Sequence, residues 1–277
     1  MKLKNPDPQK PAFERMITLV TDFGTADGYV GAMKGRILTL APHANIVDIS
    51  HEIEPQNVVQ GAWCLRRVVP QFPQGTIHLA VVDPGVGSER AAVVVAIGQT
   101  YLIGPDNGLL TLAVADASGQ EDIAIWEIEE APPERARSVS FDGLSLFAPT
   151  AAQLMLGASP ENLGRARNDL APLQQPGAQP SEDGIDGEIL FFDRFGNGVT
   201  NIPKELVAGR DFVVRLPSGG RLHHFSHYAA MTETKEPVGL SGAVWNSDGL
   251  LELATFASSF QKRSALAVGS QIVVEWV

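Results

Sequence analysis

The sequence predicts an α/β protein, with an N-terminal domain built on a mostly parallel sheet flanked by helices and a C-terminal all-β, barrel-like domain. In the first half, short runs rich in Val, Ile, Leu and Ala alternate with stretches that have apolar residues at helical spacing. In the last third, short β-rich runs follow one another between turn signals. A segment rich in Pro and Gln separates the two patterns, and we interpret these residues, 170–184, as a linker.

The N-terminal elements follow from apolar runs and from helical spacing. Continuous apolar runs are typical of strands buried on both faces, and they occur at residues 16–20, 44–49, 76–82, 91–97 and 101–103. Helices are predicted at residues 28–40, 57–70 and 148–156, the last with Pro149 in its first turn. Strands that alternate with helices in this order predict parallel neighbours joined by right-handed crossovers.

The C-terminal elements follow from β-rich runs and hairpin signals. Strands are predicted at residues 187–192, 211–216, 221–225, 237–245, 250–254 and 270–276. Gly-rich segments at 217–220 and 246–249 predict two hairpin turns. The predicted organisation is therefore a polar tail over 1–15, an α/β domain over 16–169, the linker, and a small β-barrel or sandwich over 185–277.

Composition excludes several classes of partner. The chain has 32 acidic and 21 basic residues and a formal net charge of −11, so we expect neither nucleic acid nor an anionic membrane as a partner. Cys64, the single cysteine, lies in an apolar run and excludes both an internal disulfide and a cysteine-type zinc site. We predict no metal and no cofactor. The polar N-terminus and the lack of an apolar run of about 18 residues predict a cytoplasmic protein.

Carboxylates follow three predicted strands, at the end where open parallel sheets bind ligands. These are Asp22, Asp83 and Asp106, each in a Gly-containing turn, and Arg90 follows Asp83 by seven residues. An aspartate in a turn also commonly caps its own backbone, and we favour that interpretation for Asp106. For Asp22 and Asp83 we favour a role in ligand binding or chemistry.

The types of residue at these positions favour a hydroxyl-rich or cationic ligand. Asp22 could accept hydrogen bonds from both vicinal hydroxyls of a ribose. The turn at 83–87 has neither the lysine nor the glycine spacing of a phosphate loop, so we reject a nucleotide-phosphate site there. In the C-terminal domain, Asn197 could match an adenine edge and Phe195 could stack on a base, although this segment is also a good turn.

Five segments occur in an order and spacing that resemble a known family. They are residues 21–24, 46–51, 80–87, 104–110 and 193–197. Together they closely resemble the S-adenosylmethionine hydroxide adenosyltransferases (adenosylmethionine hydrolases), which are related to the fluorinating and chlorinating enzymes. The resemblance implies a homotrimer with ligand sites between subunits. It also implies S-adenosylmethionine as the substrate, with water or hydroxide attacking the ribose C5′ to release adenosine and methionine.

The resemblance also implies catalytic residues, with one departure. The family's catalytic Asp and Arg correspond to Asp83 and Arg90, whereas the position of its histidine is occupied here by Asp142. Asp142 could replace the histidine as general base. Alternatively, the reaction has changed or been lost and the protein binds an adenosyl ligand without turnover.

Implied ligand contacts are spread over both domains. The substrate-binding positions of the family correspond to Asp22, Asp193, Phe195, Asn197, Tyr228, Ser247 and Glu252. Asp248 departs from the family, because a carboxylate there would repel the methionine carboxylate unless Lys262 or Arg263 compensates. Gln56 stands where the family usually has an aromatic residue.

Halogenation is not expected, since Asp83 and Asp142 would repel a halide and the chain lacks the halogenases' insertion between residues 95 and 101.

Overall fold

Each of the two predicted patterns corresponds to one β-sheet, in a computed structural model that describes residues 15–129, 140–233 and 240–277. The chain divides into two structural units after Gln174. The predicted N-terminal tail, apart from Arg15, lies outside the described residues, as do residues 237–239 of one predicted strand.

The first unit contains a seven-stranded sheet in the order β2-β1-β3-β5-β4-β6-β7. Its strands are β1 (Met16–Thr21), β2 (Asn45–Ser50), β3 (Ile77–Val81), β4 (Ala92–Ile97), β5 (Thr100–Pro105), β6 (Ile123–Ile128) and β7 (Gly164–Arg167). The neighbours β2, β1, β3 and β5 are parallel, whereas β4 pairs antiparallel with both β5 and β6, and β7 pairs antiparallel with β6. The prediction of a mostly parallel N-terminal sheet is confirmed.

Helices cover both faces of this sheet. They are α1 (Tyr29–Leu40), α2 (Val58–Val68), α3 (Thr111–Ala117) and α4 (Ala148–Met155). Side chains of a strand alternate between faces. Accordingly, Leu79 of β3 packs in a core with α1 and α4, whereas its neighbour Ala80 packs in a second core with α2 and α3. The central strands β1, β3, β4 and β5 are therefore buried on both sides, which explains their continuous apolar sequences.

The N-termini of α1 and α2 are stabilised in different ways. Gly28 precedes α1 with φ at 76°, a left-handed conformation that suits glycine, and Val30, Met33 and Ile37 then form its buried face. At the start of α2, the side chain of Asn57 accepts a hydrogen bond from the backbone N–H of Gln60. Both helices follow strand ends, so their starts fix the loops at the carboxyl edge of the sheet.

The second unit is an antiparallel, nearly closed barrel. Its strands are β8 (Gln179–Pro180), β9 (Gly184–Phe192), β10 (Gly198–Pro203), β11 (Phe212–Arg215), β12 (Arg221–His223), β13 (Ser241–Trp245), β14 (Leu250–Thr255) and β15 (Gln271–Trp276). The order is β12-β11-β15-β9-β10-β14-β13, with β8 beside β9. The N–H of Phe225 donates to the carbonyl of Ala243 at 2.8 Å, which joins the two ends of this order. The barrel-like prediction is confirmed, and both predicted hairpins are present.

Two short helices, α5 (Lys204–Val207) and α6 (Phe260–Ser264), complete this unit. The predicted elements did not include these two helices, α3, β6, β7 or β10, and the short strand β8 lies within the segment predicted as a linker. Strand β10 was not predicted because its sequence is polar, and its buried Thr200 and Asn201 are not typical of a core strand. Both are satisfied internally: Thr200 donates to the carbonyl of Leu251 at 2.8 Å, and Asn201 accepts from the N–H of Glu188 at 2.9 Å.

Within the described ranges, the helices are too short or too polar for any to cross a membrane.

A buried histidine in the first unit predicts a loss of stability in acid. His78 of β3 is fully buried and its Nδ1 lies 2.8 Å from the Thr18 hydroxyl. Burial disfavours the charged imidazolium and lowers the pKa of His78 from 6.5 to about 4. Between these values the unfolded chain binds more protons than the folded one, so stability falls as pH falls from 6.5 towards 4. The full contribution is roughly 3 kcal/mol.

We therefore expect the free energy of unfolding to drop between pH 7 and pH 4.5, as measured by urea denaturation. His78→Gln removes the titrating group and should show a drop smaller by roughly 2 kcal/mol. An equal drop in the variant and the wild type would show that His78 does not carry this effect.

Candidate active site

The polar residues of the first unit lie at the carboxyl edge of its parallel strands. Strands β1, β3 and β5 are adjacent and parallel, so the turns that follow them meet at one edge of the sheet. These turns carry Asp22, Asp83 and Asp106. This edge is where open α/β sheets form their ligand sites.

Asp83, Arg90 and Asp142 form a buried cluster in which two carboxylates share one guanidinium. Arg90 Nη2 contacts Oδ2 of Asp83 and donates to Oδ2 of Asp142 at 2.6 Å, while its Nε donates to Asp83 Oδ2 at 2.9 Å. The side chains of Asp83 and Asp142 are only 4% and 2% exposed, and that of Arg90 is 11% exposed. The structure thus brings together the three predicted catalytic residues.

Local structure holds each member of this cluster in place. Oδ1 of Asp83 accepts a hydrogen bond from the N–H of Gly85 at 3.1 Å. Asp142 directly precedes a π-helical turn, Gly143–Phe147, which runs into α4. The Arg90 guanidinium lies over the ring of Phe147, 5.5 Å from its centroid.

One nitrogen of Arg90 is left for another partner. Nη1 is buried and has no hydrogen-bond partner among residues 15–129, 140–233 and 240–277. A buried N–H without a partner is costly, so this atom is suited to donate to a ligand or to a water molecule. The cluster therefore combines carboxylate acceptors with a directed donor.

Asp22 lies half-buried at the end of β1. Its Oδ2 accepts a hydrogen bond from the backbone N–H of Gln56 at 2.8 Å. Gln56 has φ at 67°, in the left-handed region that non-glycine residues seldom occupy. One carboxylate oxygen is therefore held by backbone, and the remaining acceptor positions fit the predicted contact to vicinal hydroxyls.

Asp106 has a structural role, but the partners of its side chain are distant residues and not the backbone of its own turn that the sequence favoured. Its Oδ1 accepts from the N–H of Ala171 at 2.7 Å, and its Oδ2 pairs with Arg167 at 3.0 Å. Both oxygens are engaged and the side chain is only 6% exposed, so Asp106 holds the chain after β7.

In the second unit, the predicted segment 193–197 forms a tight turn between β9 and β10. Oδ1 of Asp193 accepts from the N–H groups of Phe195 and Asn197 at 2.9 and 2.8 Å, and Oδ2 accepts from the side-chain amide of Asn197 at 3.0 Å. Asp193 and Asn197 therefore shape the turn itself. Phe195, at its tip, is 76% exposed and presents a free aromatic face.

Gly196 allows this turn to pack closely on the start of α6. Its φ is 80°, and a Cβ at this position would lie 2.1 Å from the hydroxyl oxygen of Ser259. The N–H of Gln261 donates to the carbonyl of Gly196 at 2.9 Å. Only glycine fits both the conformation and the space.

Tyr228 and Glu252 form the second polar feature of the barrel. The Tyr228 hydroxyl donates to Oε1 of Glu252, which is 4% exposed on β14. Burial and the hydrogen bond to Glu252 raise the pKa of Tyr228 above its usual range, so its hydroxyl stays protonated at neutral pH. Ser247 is exposed in the β13–β14 turn, beside Asp248.

Several contacts of the first unit were not anticipated from the sequence. These are the Gln56 N–H on Asp22, the Phe147 ring under Arg90 and a bond between Thr21 and His51. The contact of the Gln56 N–H with Asp22 could not be predicted, because nothing in the sequence indicates that a glutamine has a positive φ. In the ranges that the structure describes, we find no cluster of three or more His, Cys, Asp or Glu side chains arranged to hold a metal ion.

The architecture and the site together define a protein with an N-terminal α/β unit, a C-terminal antiparallel barrel and an acidic cluster around one arginine. Two family models match this arrangement: the SAM hydroxide adenosyltransferase N-terminal domain over residues 17–164 and the corresponding C-terminal domain over residues 187–273. The chain belongs to the SAM hydroxide adenosyltransferase family, which confirms the resemblance seen in the sequence.

Individual relatives match over nearly the whole chain. A protein of Salinispora arenicola named (R)-S-adenosyl-L-methionine hydrolase is 38% identical over 93% of this chain and 97% of its own. One of the same name from Thermus thermophilus is 33% identical over 93% and 98%. Fluorinases match at 25–27% identity. A crystal structure of an uncharacterized conserved protein from Thermotoga maritima has a TM-score of 0.80 at 31% identity, covering 94% of this chain and all of that one.

The shared guanidinium makes a testable prediction about stability. Arg90→Gln removes the positive charge between two buried carboxylates, so we expect a loss of about 3–5 kcal/mol in the free energy of unfolding at pH 7. Asp142→Asn in the same chain removes one of the two charges and should recover part of that loss. Arg165→Gln is a matched control at an ion pair whose arginine is 65% exposed, where we expect little change. Similar denaturant midpoints for Arg90→Gln and Arg165→Gln would contradict this account.

Proposed function

We propose that this protein is an S-adenosylmethionine hydrolase that produces adenosine and methionine. The observation that supports this most strongly is the buried Asp83–Arg90 pair at the end of β3, in a chain whose relatives at 33–41% identity are named (R)-S-adenosyl-L-methionine hydrolase. Water attacks the ribose C5′, the C5′–O bond forms, and the C5′–S bond breaks with its electron pair passing to sulfur. The sulfonium leaves as the neutral thioether of methionine, and the water proton passes to a carboxylate.

The cluster has the groups that this reaction requires. In the proposed reaction, Arg90 Nη1 donates to the oxygen of the attacking water, because this buried nitrogen lacks a partner in the described residues. A carboxylate beside that water accepts its proton. Positioning accounts for much of the expected rate, since the leaving group needs no activation.

Negative charge near the sulfonium has two opposite effects on this reaction. When ionised, the carboxylates of the cluster favour binding of a cationic ligand. However, the positive charge on sulfur disappears in the transition state, so attraction to it stabilises the bound substrate more than the transition state. The carboxylates therefore assist the chemistry by accepting a proton and not by neutralising the sulfonium.

We assign the remaining contacts to the adenosyl part of the substrate. Asp22 accepts from the ribose hydroxyls with the oxygen positions that the Gln56 N–H does not occupy. In the barrel, the exposed ring of Phe195 and the ring of Tyr228 are suited to stack on adenine. The proposed substrate-binding set also includes Asp193, Asn197, Ser247 and Glu252. Asp193 holds Asn197 through a hydrogen bond, and Glu252 holds Tyr228 in the same way.

A second candidate function follows from Asp142. The Asp142 carboxylate is bonded to Arg90 where the family's histidine is expected, so this chain could bind the adenosyl ligand without turning it over. The same cluster makes halogenation unfavourable, because two buried carboxylates repel a halide nucleophile.

We also propose a cytoplasmic homotrimer, on the basis of family membership and of the single cysteine, which leaves no pair for an internal disulfide. A native mass of three times 29.6 kDa in light scattering is the expected result.

The hydrolase assignment predicts the effects of two substitutions at the cluster. Asp83→Asn should lower kcat for adenosine release by roughly 10²–10⁴-fold, because the amide cannot accept the water proton. Asp142→His should raise kcat, since it supplies the family's histidine. Both are measured by chromatography of the products from S-adenosylmethionine, with Asp116→Asn as the control at a surface ion pair 46% exposed.

The wild type decides between the two candidate functions. Release of adenosine and methionine in equal amounts supports hydrolysis. If calorimetry detects tight binding of S-adenosylmethionine but no product forms at any pH from 5 to 9, the binding protein is the correct assignment. If neither binding nor turnover is found, both candidate functions are rejected.

A further inference from the structure

A chain of polar side chains lies directly behind the loop that carries Asp22. Thr21, the last residue of β1, is fully buried, and its hydroxyl lies 2.9 Å from Nδ1 of His51. His51 Nε2 lies 3.1 Å from Oδ1 of Asp48, and Oδ2 of Asp48 accepts from Lys34 of α1 at 2.5 Å. His51 itself is 6% exposed, so it is screened from solvent.

The Thr21 hydroxyl links the start of the loop to His51. Its oxygen accepts from the N–H of Phe23 at 3.3 Å and lies 2.9 Å from His51 Nδ1. An Asp48 carboxylate oxygen lies 3.1 Å from His51 Nε2 and would repel a lone pair on that nitrogen, so the neutral ring favours the proton on Nε2 and leaves Nδ1 to accept from Thr21. In this tautomer Nδ1 bonds to Thr21, whereas the buried Nε2 lies close to Asp48 without an aligned hydrogen bond in the described part of the chain.

The segment that begins at His51 also holds the Asp22 loop through its backbone. The carbonyl of His51 accepts from the N–H of Gly24 at 2.7 Å. Five residues later, the N–H of Gln56 donates to Asp22 Oδ2 at 2.8 Å. The loop at 21–24 is thus held at its start, at its carboxylate and at its end by residues 51–56.

We propose that His51 is a positioning residue for Asp22, acting through the Thr21 hydroxyl to orient the Asp22 carboxylate towards the vicinal hydroxyls of a ribose. This inference rests on the proposed function, because it takes the adenosyl ribose as the ligand of Asp22. His51 contacts Thr21 and Gly24 on the protein side of the loop and has no direct role in the chemistry.

A purely structural role would have a different signature. If His51 only supported the fold, its loss would weaken binding of every nucleoside to a similar degree. If it orients Asp22, its loss would weaken only those ligands whose hydroxyls Asp22 binds. Adenosine and 2′,3′-dideoxyadenosine share the base and differ in these hydroxyls, so their affinity ratio isolates the role of Asp22.

The experiment compares this ratio, measured by isothermal titration calorimetry on the full chain, in the wild type and four variants. In the wild type we expect adenosine to bind at least roughly tenfold more tightly than the dideoxynucleoside. His51→Asn and Thr21→Val should each lower the affinity for adenosine by roughly tenfold while changing that for the dideoxynucleoside by less than about twofold. Thr21→Ser keeps the hydroxyl and should retain the wild-type ratio.

The fold provides a matched control on the same strand. Thr18 and His78 form a second buried threonine–histidine pair, with the Thr18 hydroxyl 2.8 Å from His78 Nδ1, in the middle of β1 and away from the loop. His78→Asn should lower stability but leave the ratio unchanged. Thr21→Val is the second test if His51→Asn does not fold.

The outcomes separate this inference from the proposed function. A wild type that does not bind adenosine, or that binds both nucleosides equally, refutes the assignment of Asp22 and with it this inference. If the wild type discriminates but His51→Asn and Thr21→Val keep its ratio, the positioning role alone is refuted. The positioning role is supported if His78→Asn keeps the wild-type affinity ratio for the two nucleosides while His51→Asn and Thr21→Val lose it.

Discussion

The site depends on one electrostatic interaction: the Arg90 guanidinium bonds to two carboxylates that are almost completely buried. Burying two carboxylates costs free energy unless cations pair with them, and Arg90 reaches both Asp83 and Asp142 through the same nitrogen. Nη2 bonds to the carboxylates, whereas Nη1 is buried and has no hydrogen-bond partner in the described chain. One side chain therefore both pairs with the two carboxylates and carries the donor that the proposed reaction uses.

The sheet supplies the rigidity that this interaction requires. Strands β1, β3 and β5 are parallel neighbours buried between two layers of helices, so the residues that follow them have little freedom to move. Asp22 and Asp83 inherit their positions from those strands. The loop around Asp22 is less constrained by the sheet itself and is instead held by residues 51–56, which follow the neighbouring strand β2.

The sequence predicted the two architectures and the acidic residues at strand ends, because both depend on local patterns. Continuous apolar runs mark strands buried on both faces, and a carboxylate after such a run lies at the edge where sites form. It did not reveal β10, whose buried Thr200 and Asn201 find partners on β14 and β9. Such pairing is decided by residues about 50 and 13 positions away. The Gln56 N–H on Asp22 was missed for the same reason, since it depends on a backbone angle and a contact 34 residues apart.

The π-helical turn after Asp142 has a consequence for how this segment can change in evolution. In residues 143–147 the backbone bonds run from one residue to the fifth ahead, as from the N–H of Ala148 to the carbonyl of Gly143, so the turn contains one residue more than an α-helix needs. Losing that residue would convert the turn into ordinary α-helix and rotate Asp142 by about 100° relative to α4. Its carboxylate would then leave Arg90 even though every site residue was still present. We therefore expect a one-residue deletion in this turn to disrupt the contact between Asp142 and Arg90 more than most substitutions there would.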